Sequence, residues 1–311
     1  MKTLPLFYYP SKWLWVDDDP ILLNTMTHVF GEKNQVEPFQ SSQVCLNFLK
    51  NYKSPLSQES FLKSSKGDES YGILQHTPVD FDITMIAGLA NNPKRHEEIT
   101  VMIIDYNMPE LDGFSLAKAI QSLPIQKILL TGKAQESQAI EAFNHNLIHR
   151  FIQKGELEMV NKLSTYLEEL SLCYFQKLTW PLLSYLETEA PLPLSDPIFI
   201  DFFEDYCEKN KVKEYYLIDK QGSLLCIDED GNRSCLIIQS DRSIQSWLTL
   251  YSNEKYLSDG ELAKIQSKEK ILFFEPGKEA WQVDPSEWPK HFHTPSILEG
   301  RERYFWSQLI L

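Results

Sequence analysis

The first half of the chain alternates between short apolar runs and segments with helical periodicity. The runs "KWLWV", "VMII", "KILL" and "RFI", with the shorter extended segment "QVEPFQ", are bounded by polar or turn residues, which is typical of strands buried on both faces. Between them, segments such as "PILLNTMTHVF" and "SSQVCLNFLKNY" carry apolar residues at helical spacing. This order predicts an α/β fold: a doubly wound, five-stranded parallel sheet with right-handed crossovers.

The pattern weakens between about residues 54 and 98, where the sequence becomes polar and punctuated by Pro, Gly and Ser. We interpret this stretch as an insertion with short helical pieces between the second helix and the third strand. Long surface insertions cost little stability, because loop-closure entropy grows slowly with length. The insertion fits either a partner-binding segment or a passive decoration, and the sequence leaves both open.

The sequence pattern predicts a helix over residues 156–186 that links two domains. Apolar residues recur there at alternating spacings of three and four, at Val160, Leu163, Leu167, Leu170 and Tyr174. Such a seam predicts the interface of a two-helix dimer. It is equally typical of the core-facing stripe of one amphipathic helix, so both interpretations stand at this point.

Residues 187–311 predict a small α+β domain with an antiparallel sheet. The segments "EYYLID", "SLLCID" and "RSCLIIQ" are separated by turn residues and predict a three-stranded meander. A two-residue turn at Asp230 and Gly231 would place Cys226 directly opposite Cys235. The predicted domains are therefore 1–155, with the insertion, the linker helix 156–186, and the second domain 187–311.

Composition and charge narrow the function classes. Of the 311 residues, 42% are apolar, which is enough for two cores, while five scattered cysteines without CxxC spacing argue against a disulfide framework or zinc site. With no long apolar run and no signal peptide, we expect a cytoplasmic protein that does not enter a membrane. Residues 1–155 hold 14 Lys+Arg and 17 Asp+Glu, net −3, and residues 156–311 hold 16 and 27, net −11. So acidic a second half argues against a nucleic-acid-binding output.

Polar residues stand at the ends of four predicted strands, namely Asp17 and Asp18, Asp105, Thr131, and Lys154. Because the carboxyl ends of parallel strands meet at one edge of a sheet, we expect these side chains to converge. Three carboxylates in close quarters repel one another, and a hard cation with oxygen ligands relieves that repulsion. The pattern therefore predicts an Mg²⁺ site suited to phosphoryl groups.

These strand-end motifs also carry a family resemblance. "VDDD", "IIDYNMPELDG", "LLTGKA" and "FIQK" resemble, in order, the motifs of the CheY-like receiver domain of bacterial response regulators, from Lys12 to about Lys154. The receiver fold is flavodoxin-like. The C-terminal domain resembles uncharacterised output domains of some proteobacterial response regulators, a resemblance that implies no activity.

The resemblance implies a role for each matching residue. Asp105 would accept a phosphoryl group from a histidine kinase or phosphotransfer protein, as a carboxylate nucleophile does. The metal ligands would be Asp17, Asp18, Asp105 and the backbone carbonyl of Asn107. The groups that bind the phosphoryl oxygens or switch upon transfer would be Thr131, Gly132, Lys154 and Phe151.

Asp19 and Gly155 each lie directly beside one of these motifs. Asp19, followed by Pro20, is better interpreted as a helix N-cap than as a metal ligand. Gly155 stands where the family usually has proline, so a looser loop is expected after the fifth strand.

We therefore predict a two-component response regulator in which phosphorylation of Asp105 with Mg²⁺ switches a non-DNA-binding output domain through homodimerisation or a protein partner. The alternatives are an output domain that binds a nucleotide or another ligand, one with an unrecognised enzymatic activity, or a DNA-binding regulator. Neither a P-loop nor a Gly-x-Ser-x-Gly signature is present, so no catalytic activity beyond the receiver's own phosphorylation and dephosphorylation is assigned.

Overall fold

A computed structural model describes residues 3–31, 36–56, 61–64, 79–132, 136–186, 193–251, 257–278 and 282–311. Its strands are β1 Phe7–Tyr8, β2 Lys12–Val16, β3 Val36–Phe39, β4 Leu62–Ser64, β5 Val79–Phe81, β6 Ile99–Asp105, β7 Gln126–Thr131, β8 Arg150–Gln153, β9 Val212–Leu217, β10 Leu224–Asp228, β11 Arg233–Ser240, β12 Ile271–Leu272, β13 Phe292–His293, β14 Ser296–Glu299 and β15 Arg303–Ile310. Its α-helices are α1 Pro20–Gly31, α2 Ser42–Asn51, α3 Thr84–Leu89, α4 Gly113–Ala119, α5 Glu136–Asn144, α6 Met159–Leu186, α7 Pro197–Lys209, α8 Asp241–Tyr251 and α9 Asp259–Gln266.

The chain forms two compact units that divide it differently from the predicted boundaries. Residues 9–57 and 93–178 form one, which we call the parallel-sheet unit. Residues 1–8, 58–92 and 179–311 form the other, the antiparallel-sheet unit. The predicted insertion thus belongs largely to the antiparallel-sheet unit, and the predicted linker helix is divided within α6.

The parallel-sheet unit has the predicted architecture. Its five strands lie in the order β3-β2-β6-β7-β8 and every neighbouring pair is parallel. The central strand β6 is buried at all seven positions, as its continuous apolar run predicts. The α2 helix begins after Ser41, whose hydroxyl accepts the N–H of Val44 at 3.2 Å, so Ser41 is the N-cap. These features confirm the doubly wound α/β fold.

The face of the parallel sheet that carries Trp13 and Trp15 settles the role of the seam on α6. Leu163, Leu167 and Leu170 are buried in one hydrophobic cluster with these tryptophans and with strand residues of β6 and β7. The hydroxyl of Tyr174 donates to the buried carboxylate of Glu98, and only Val160 is notably exposed, at 38%. The dimer seam predicted at Val160, Leu163, Leu167, Leu170 and Tyr174 is therefore corrected: burial against its own sheet makes it the core stripe of one helix.

The antiparallel-sheet unit confirms an α+β second domain but recruits distant segments. Its six-stranded sheet has the order β1-β9-β10-β11-β15-β14, and the predicted meander is β9-β10-β11. The N-terminal β1 pairs with β9, through Phe7 opposite Tyr216 and Tyr8 opposite Tyr215. Helix α7 packs on the sheet with aromatic side chains, among them Phe203 against Tyr215 with ring centroids 5.0 Å apart. The N-terminal strand β1 is therefore an edge strand of a sheet whose other strands come from the C-terminal part of the chain.

The hairpin between β10 and β11 has a register different from the predicted one. Cys226 lies opposite Ser234, and Cys235 lies opposite Leu225, so the two thiols are not paired across the ladder. The carboxylate of Asp228 accepts the N–H groups of Asp230 and Asn232 at 2.9 and 2.8 Å, and Gly231 takes φ +83°. These bonds favour a three-residue loop over the predicted two-residue turn, which shifts every cross-strand pair by one residue.

Residues 61–64 and 79–92 of the insertion pack within the antiparallel-sheet unit. Strands β4 and β5 pair antiparallel, which was not predicted, and the short helix α3 follows β5. The ring of Phe61 stacks on Phe7 at a centroid distance of 5.8 Å, and the guanidinium of Arg233 donates to the carbonyl of Ala90 at 3.3 Å. Residues 57–60 and 65–78 of the predicted insertion lie outside the described residues. Such contacts make the described part more than a surface decoration.

A buried polar cluster lies at the start of β6. The fully buried Glu98 carboxylate accepts the hydroxyls of Ser54, at 2.6 Å, and Tyr174, and the N–H of Leu56 at 3.4 Å. Burial raises the pKa of Glu98, against the effect of these donors. Because buried carboxylates need hydrogen-bond donors, this cluster holds the segment after α2 and helix α6 to the same strand end.

None of the helices in the described ranges is both long and apolar enough to cross a membrane.

Replacing Leu167 by Ala tests the corrected role of α6. Leu167 is fully buried, so the substitution is expected to lower the free energy of unfolding by about 2 to 5 kcal/mol. Val160→Ala, on the same helix but partly exposed, is the matched control and should cost much less. Urea unfolding gives the stability, and light scattering gives the mass. A stable Leu167→Ala protein with weakened self-association would restore the dimer seam.

The buried Glu98 predicts a pH dependence of stability. Its folded pKa is raised above the ordinary value of 4.5, so the folded state keeps a proton that the unfolded chain releases. The free energy of unfolding should therefore fall as the pH rises from 4.5 through the raised pKa. Glu98→Gln should flatten this dependence in urea titrations across that range, whereas Glu97→Gln, at the exposed neighbour, should leave it as in the wild type. Equal slopes in all three proteins would contradict this.

Candidate functional site

The polar residues predicted at the strand ends converge at the carboxyl edge of the parallel sheet. Asp17 and Asp18 follow β2, Asp105 ends β6, Thr131 ends β7, and Lys154 follows β8. Carboxylate oxygens of Asp17, Asp18 and Asp105 lie within 4.8 Å of one another. The convergence follows from the parallel order of the strands, which places all their carboxyl ends together.

The ammonium of Lys154 bridges two of the three acids. Its Nζ lies 2.8 Å from Oδ2 of Asp17 and 2.9 Å from Oδ1 of Asp105. Asp17 is fully buried and Asp105 is nearly so, while Asp18 is exposed. One positive charge therefore faces three carboxylates, which leaves a local excess of negative charge when all three are ionised.

The pKa values at this edge reflect burial and pairing together. Burial raises the pKa of Asp105, and Asp17 and Asp18 add to the rise, while Lys154 opposes it. Burial alone would lower the pKa of Lys154, but its hydrogen bonds to Asp17 and Asp105 outweigh that effect and raise it. A divalent cation on the same oxygens would favour the ionised carboxylates.

The backbone after β2 aims the acidic pair. The N–H of Asp17 donates to the carbonyl of Phe39 on β3 at 3.1 Å, and Oδ1 of Asp17 accepts the N–H of Asp19 at 3.0 Å. Oδ1 of Asp19 in turn accepts the N–H groups of Ile21 and Leu22, at the start of α1. Asp19 therefore caps the helix, as predicted, and its carboxylate is committed to that role.

The loop after Asp105 depends on a close approach at Gly113. A Cβ atom there would lie 2.3 Å from the carbonyl oxygen of Asp105, so only glycine fits. The preceding Asp112 caps α4 by accepting the N–H of Ser115 at 2.7 Å. Glu110 accepts the hydroxyl of Ser41, which ties this loop to the N-terminus of α2. This last contact was not predicted, because an acid in an exposed loop carries no distinguishing sequence signal.

The remaining predicted residues surround the acids. Thr131 is buried, and its carbonyl accepts the N–H of Lys154 at 2.8 Å. Gly132 follows it and is half-buried. Phe151 is also half-buried and packs against a second hydrophobic cluster, separate from the one that contains Trp13 and Trp15. Asn107, whose backbone carbonyl is the remaining predicted metal ligand, lies exposed two residues after Asp105.

The arrangement suits a hard cation beside a nucleophile. Carboxylate oxygens are ligands that Mg²⁺ prefers, and the excess of negative charge in the cluster would attract such an ion. Asp105 pairs with Lys154 and lies in the same carboxylate cluster as Asp17 and Asp18. A carboxylate held in this way beside a cation and a lysine can attack phosphorus.

Comparisons with known proteins support the fold of a response regulator. No family model and no curated protein matches the chain. Among solved structures, the Legionella pneumophila response regulator LqsR is 27% identical, with a TM-score of 0.77 over 99% of this chain and 89% of that chain. A Francisella response regulator receiver domain and a CheY-like receiver domain from Methanospirillum hungatei, each 17% identical, align with 52% of this chain and 96% of theirs at a TM-score of 0.34.

The match to LqsR spans both units, and the acids, threonine and lysine lie at the carboxyl ends of the parallel strands. The chain therefore has the fold of a response regulator, in which a CheY-like receiver domain is combined with a second, α+β domain.

Proposed function

We propose that the parallel-sheet unit is a phosphorylation switch in which Asp105 is the phosphoacceptor. The observation that carries this proposal is the cluster of Asp17, Asp18 and Asp105 with the Lys154 ammonium between two of them. Phosphoryl transfer needs little else from a protein, because positioning and charge stabilisation supply most of the catalysis.

In the proposed reaction, a carboxylate oxygen of Asp105 attacks the phosphorus of a phosphohistidine on a histidine kinase or phosphotransfer protein. An O–P bond forms, the N–P bond breaks, and the imidazole leaves with the bonding electron pair and takes up a proton. Bound Mg²⁺, held by Asp17, Asp18, Asp105 and the Asn107 carbonyl, would neutralise charge on the phosphoryl oxygens. Lys154 would move from a carboxylate oxygen of Asp105 to a phosphoryl oxygen.

The new charge on Asp105 would then bias the surrounding residues between two arrangements. The Thr131 hydroxyl would hydrogen-bond to the phosphoryl group, for which Gly132 leaves room, and Phe151 would turn inward as Thr131 moves. Phe151 is half-buried on β8, so a rotation of its ring would change the surface formed by α5, β8 and α6. Such a two-state element converts a local charge into a change of surface.

The output is proposed to be a protein contact, either with a second copy or with another partner. Apolar side chains are exposed on α5 at Ile140 and Phe143 and at the start of α6 at Val160, with Leu157 just before it. Exposed apolar surface of this kind favours protein association. The net charge of −11 over residues 156–311 weighs against nucleic acid as the target.

Phosphorylation at Asp105 can be tested with acetyl phosphate and Mg²⁺. Intact-mass spectrometry should detect one added phosphoryl group on the wild type and none on Asp105→Asn, because the amide cannot act as the nucleophile. Asp112→Asn removes the same charge from the same loop yet preserves an N-cap side chain, so it should be phosphorylated like the wild type. Removing Mg²⁺ with a chelator should abolish the modification.

Light scattering of the same samples separates the two outputs. A dimer that forms only in phosphorylated protein supports self-association, whereas a phosphorylated monomer supports another partner. Phosphate on Asp105→Asn, or none on the wild type, would refute Asp105 as the phosphoacceptor.

A further inference from the structure

The position of Lys154 depends on the turn that follows β8. Its backbone N–H donates to the carbonyl of Thr131 on β7 at 2.8 Å, and its side chain reaches Asp17 and Asp105. A lysine side chain has four rotatable bonds and is flexible. Whatever fixes the backbone beside Lys154 therefore helps to decide where its ammonium lies.

Gly155 gives this turn an unusual backbone conformation. Its φ is +84°, in the left-handed region that favours glycine, and a Cβ there would meet no atom within 4 Å. Conformation rather than space therefore requires glycine. The proline that receiver domains usually have at this place is fixed near φ −65° and cannot adopt this turn. A looser loop would be the expected result if nothing replaced the rigidity of proline.

Glu156 supplies contacts that close the turn. Its Oε1 accepts the backbone N–H of Gln153 at 3.3 Å, and its own N–H donates to the carbonyl of Gln153 at 3.3 Å. The other carboxylate oxygen pairs with the ammonium of Lys162, in the first turn of α6. The carbonyl of Glu156 accepts the N–H of Met159 at 3.2 Å, at the start of the same helix. One side chain thus joins the end of β8 to α6.

The charges of this pair favour the arrangement. The hydrogen bond from Lys162 lowers the pKa of Glu156, so the carboxylate remains ionised at neutral pH and is a strong acceptor for the Gln153 N–H. Glu156 and Lys162 keep side-chain exposures of 29% and 46%, so the ion pair itself adds little stability. The ion pair instead orients the Glu156 carboxylate, because it holds that carboxylate against the end of β8.

We propose that Glu156, anchored by Lys162, is a positioning residue for Lys154, replacing with side-chain contacts the rigidity that proline provides in other receivers. This inference rests on the proposed function, because Lys154 is taken to stabilise the phosphoryl group. Displacing a charge-stabilising group by even an ångström slows a reaction, since transfer depends on alignment. Glu156 acts through the backbone of Gln153 and Lys154 and does not touch the phosphoryl group itself.

Four variants of the full chain separate the contributions. Glu156→Ala removes both the acceptor and the ion pair, Glu156→Gln keeps an acceptor oxygen for Gln153, and Lys162→Met keeps the acceptor but removes its anchor. Glu158→Ala is the matched control, because it removes the same charge from an exposed residue two positions away.

Two measurements are made on each protein at one fixed pH. The first is the NMR signal of the Lys154 side chain in the unphosphorylated protein labelled with ¹³C-lysine, assigned by its loss in Lys154→Met. The second is the initial rate of Asp105 phosphorylation over a range of acetyl phosphate concentrations with Mg²⁺. Glu156→Ala should move the Lys154 signal towards those of exposed lysines and lower the saturating rate roughly three- to tenfold, with little change in the half-saturating concentration. Glu156→Gln should recover most of both, and Lys162→Met should lie between.

The outcomes distinguish this inference from the function on which it rests. If Glu156→Ala matches Glu158→Ala in both measurements, the positioning role is overturned. A lower rate with an unchanged Lys154 signal also overturns it, because the effect would not pass through Lys154. A shifted signal in a protein whose wild type is never phosphorylated supports the positioning role and refutes the proposed function.

Discussion

The carboxyl edge of the parallel sheet depends on one electrostatic arrangement, the Lys154 ammonium between Asp17 and Asp105. Three carboxylates that lie within 4.8 Å of one another repel, and burial makes the charge of Asp105 harder to accommodate. One ammonium relieves only part of that repulsion. The remaining excess of negative charge prepares the edge for a divalent cation, and it makes the site sensitive to any further charge placed on Asp105.

Around this arrangement, the backbone leaves little freedom in the three loops that carry the acids and the lysine. Asp17 is tied to β3, the loop after Asp105 requires glycine at position 113, and Lys154 follows the end of β8 immediately before a left-handed glycine. In the proposed switch, rigid surroundings would allow small movements of Thr131 and Phe151 to be transmitted as changes between discrete packed states. A phosphorylation switch needs this combination of a fixed acceptor and a movable neighbour.

The opposite end of β6 has a different kind of anchor. There the buried Glu98 accepts hydrogen bonds from Ser54, Leu56 and Tyr174, so that α6 is attached to the sheet by a polar contact as well as by its apolar stripe. The apolar stripe tolerates small sliding movements, whereas hydrogen bonds to one carboxylate fix the helix at a particular register. Helix α6 is thus held firmly within the parallel-sheet unit along the residues that had suggested a dimer seam.

The sequence by itself determined the parallel sheet and the site at its edge. Both depend on local signals: apolar runs bounded by turns specify buried strands, and the strand order brings Asp17, Asp18, Asp105, Thr131 and Lys154 together. What covers each surface was decided only by the tertiary structure. The periodicity of α6 describes an apolar stripe without naming what it packs against, so core and dimer seam look alike in the sequence.

The same limit applies where a distant or side-chain contact decides the outcome. The pairing of β1 with β9 joins residues some two hundred positions apart, and the insertion contributes residues 61–64 and 79–92 to the antiparallel-sheet unit. Asp228 fixed the register of the hairpin, and Glu156 closed the turn after β8, each by accepting backbone N–H groups. Neither acid belongs to a periodic sequence pattern that would reveal its role. That role depends on which backbone N–H groups the folded chain brings within reach of the carboxylate. The sequence therefore determined where the chemistry lies, and the tertiary structure determined which contacts hold it in place.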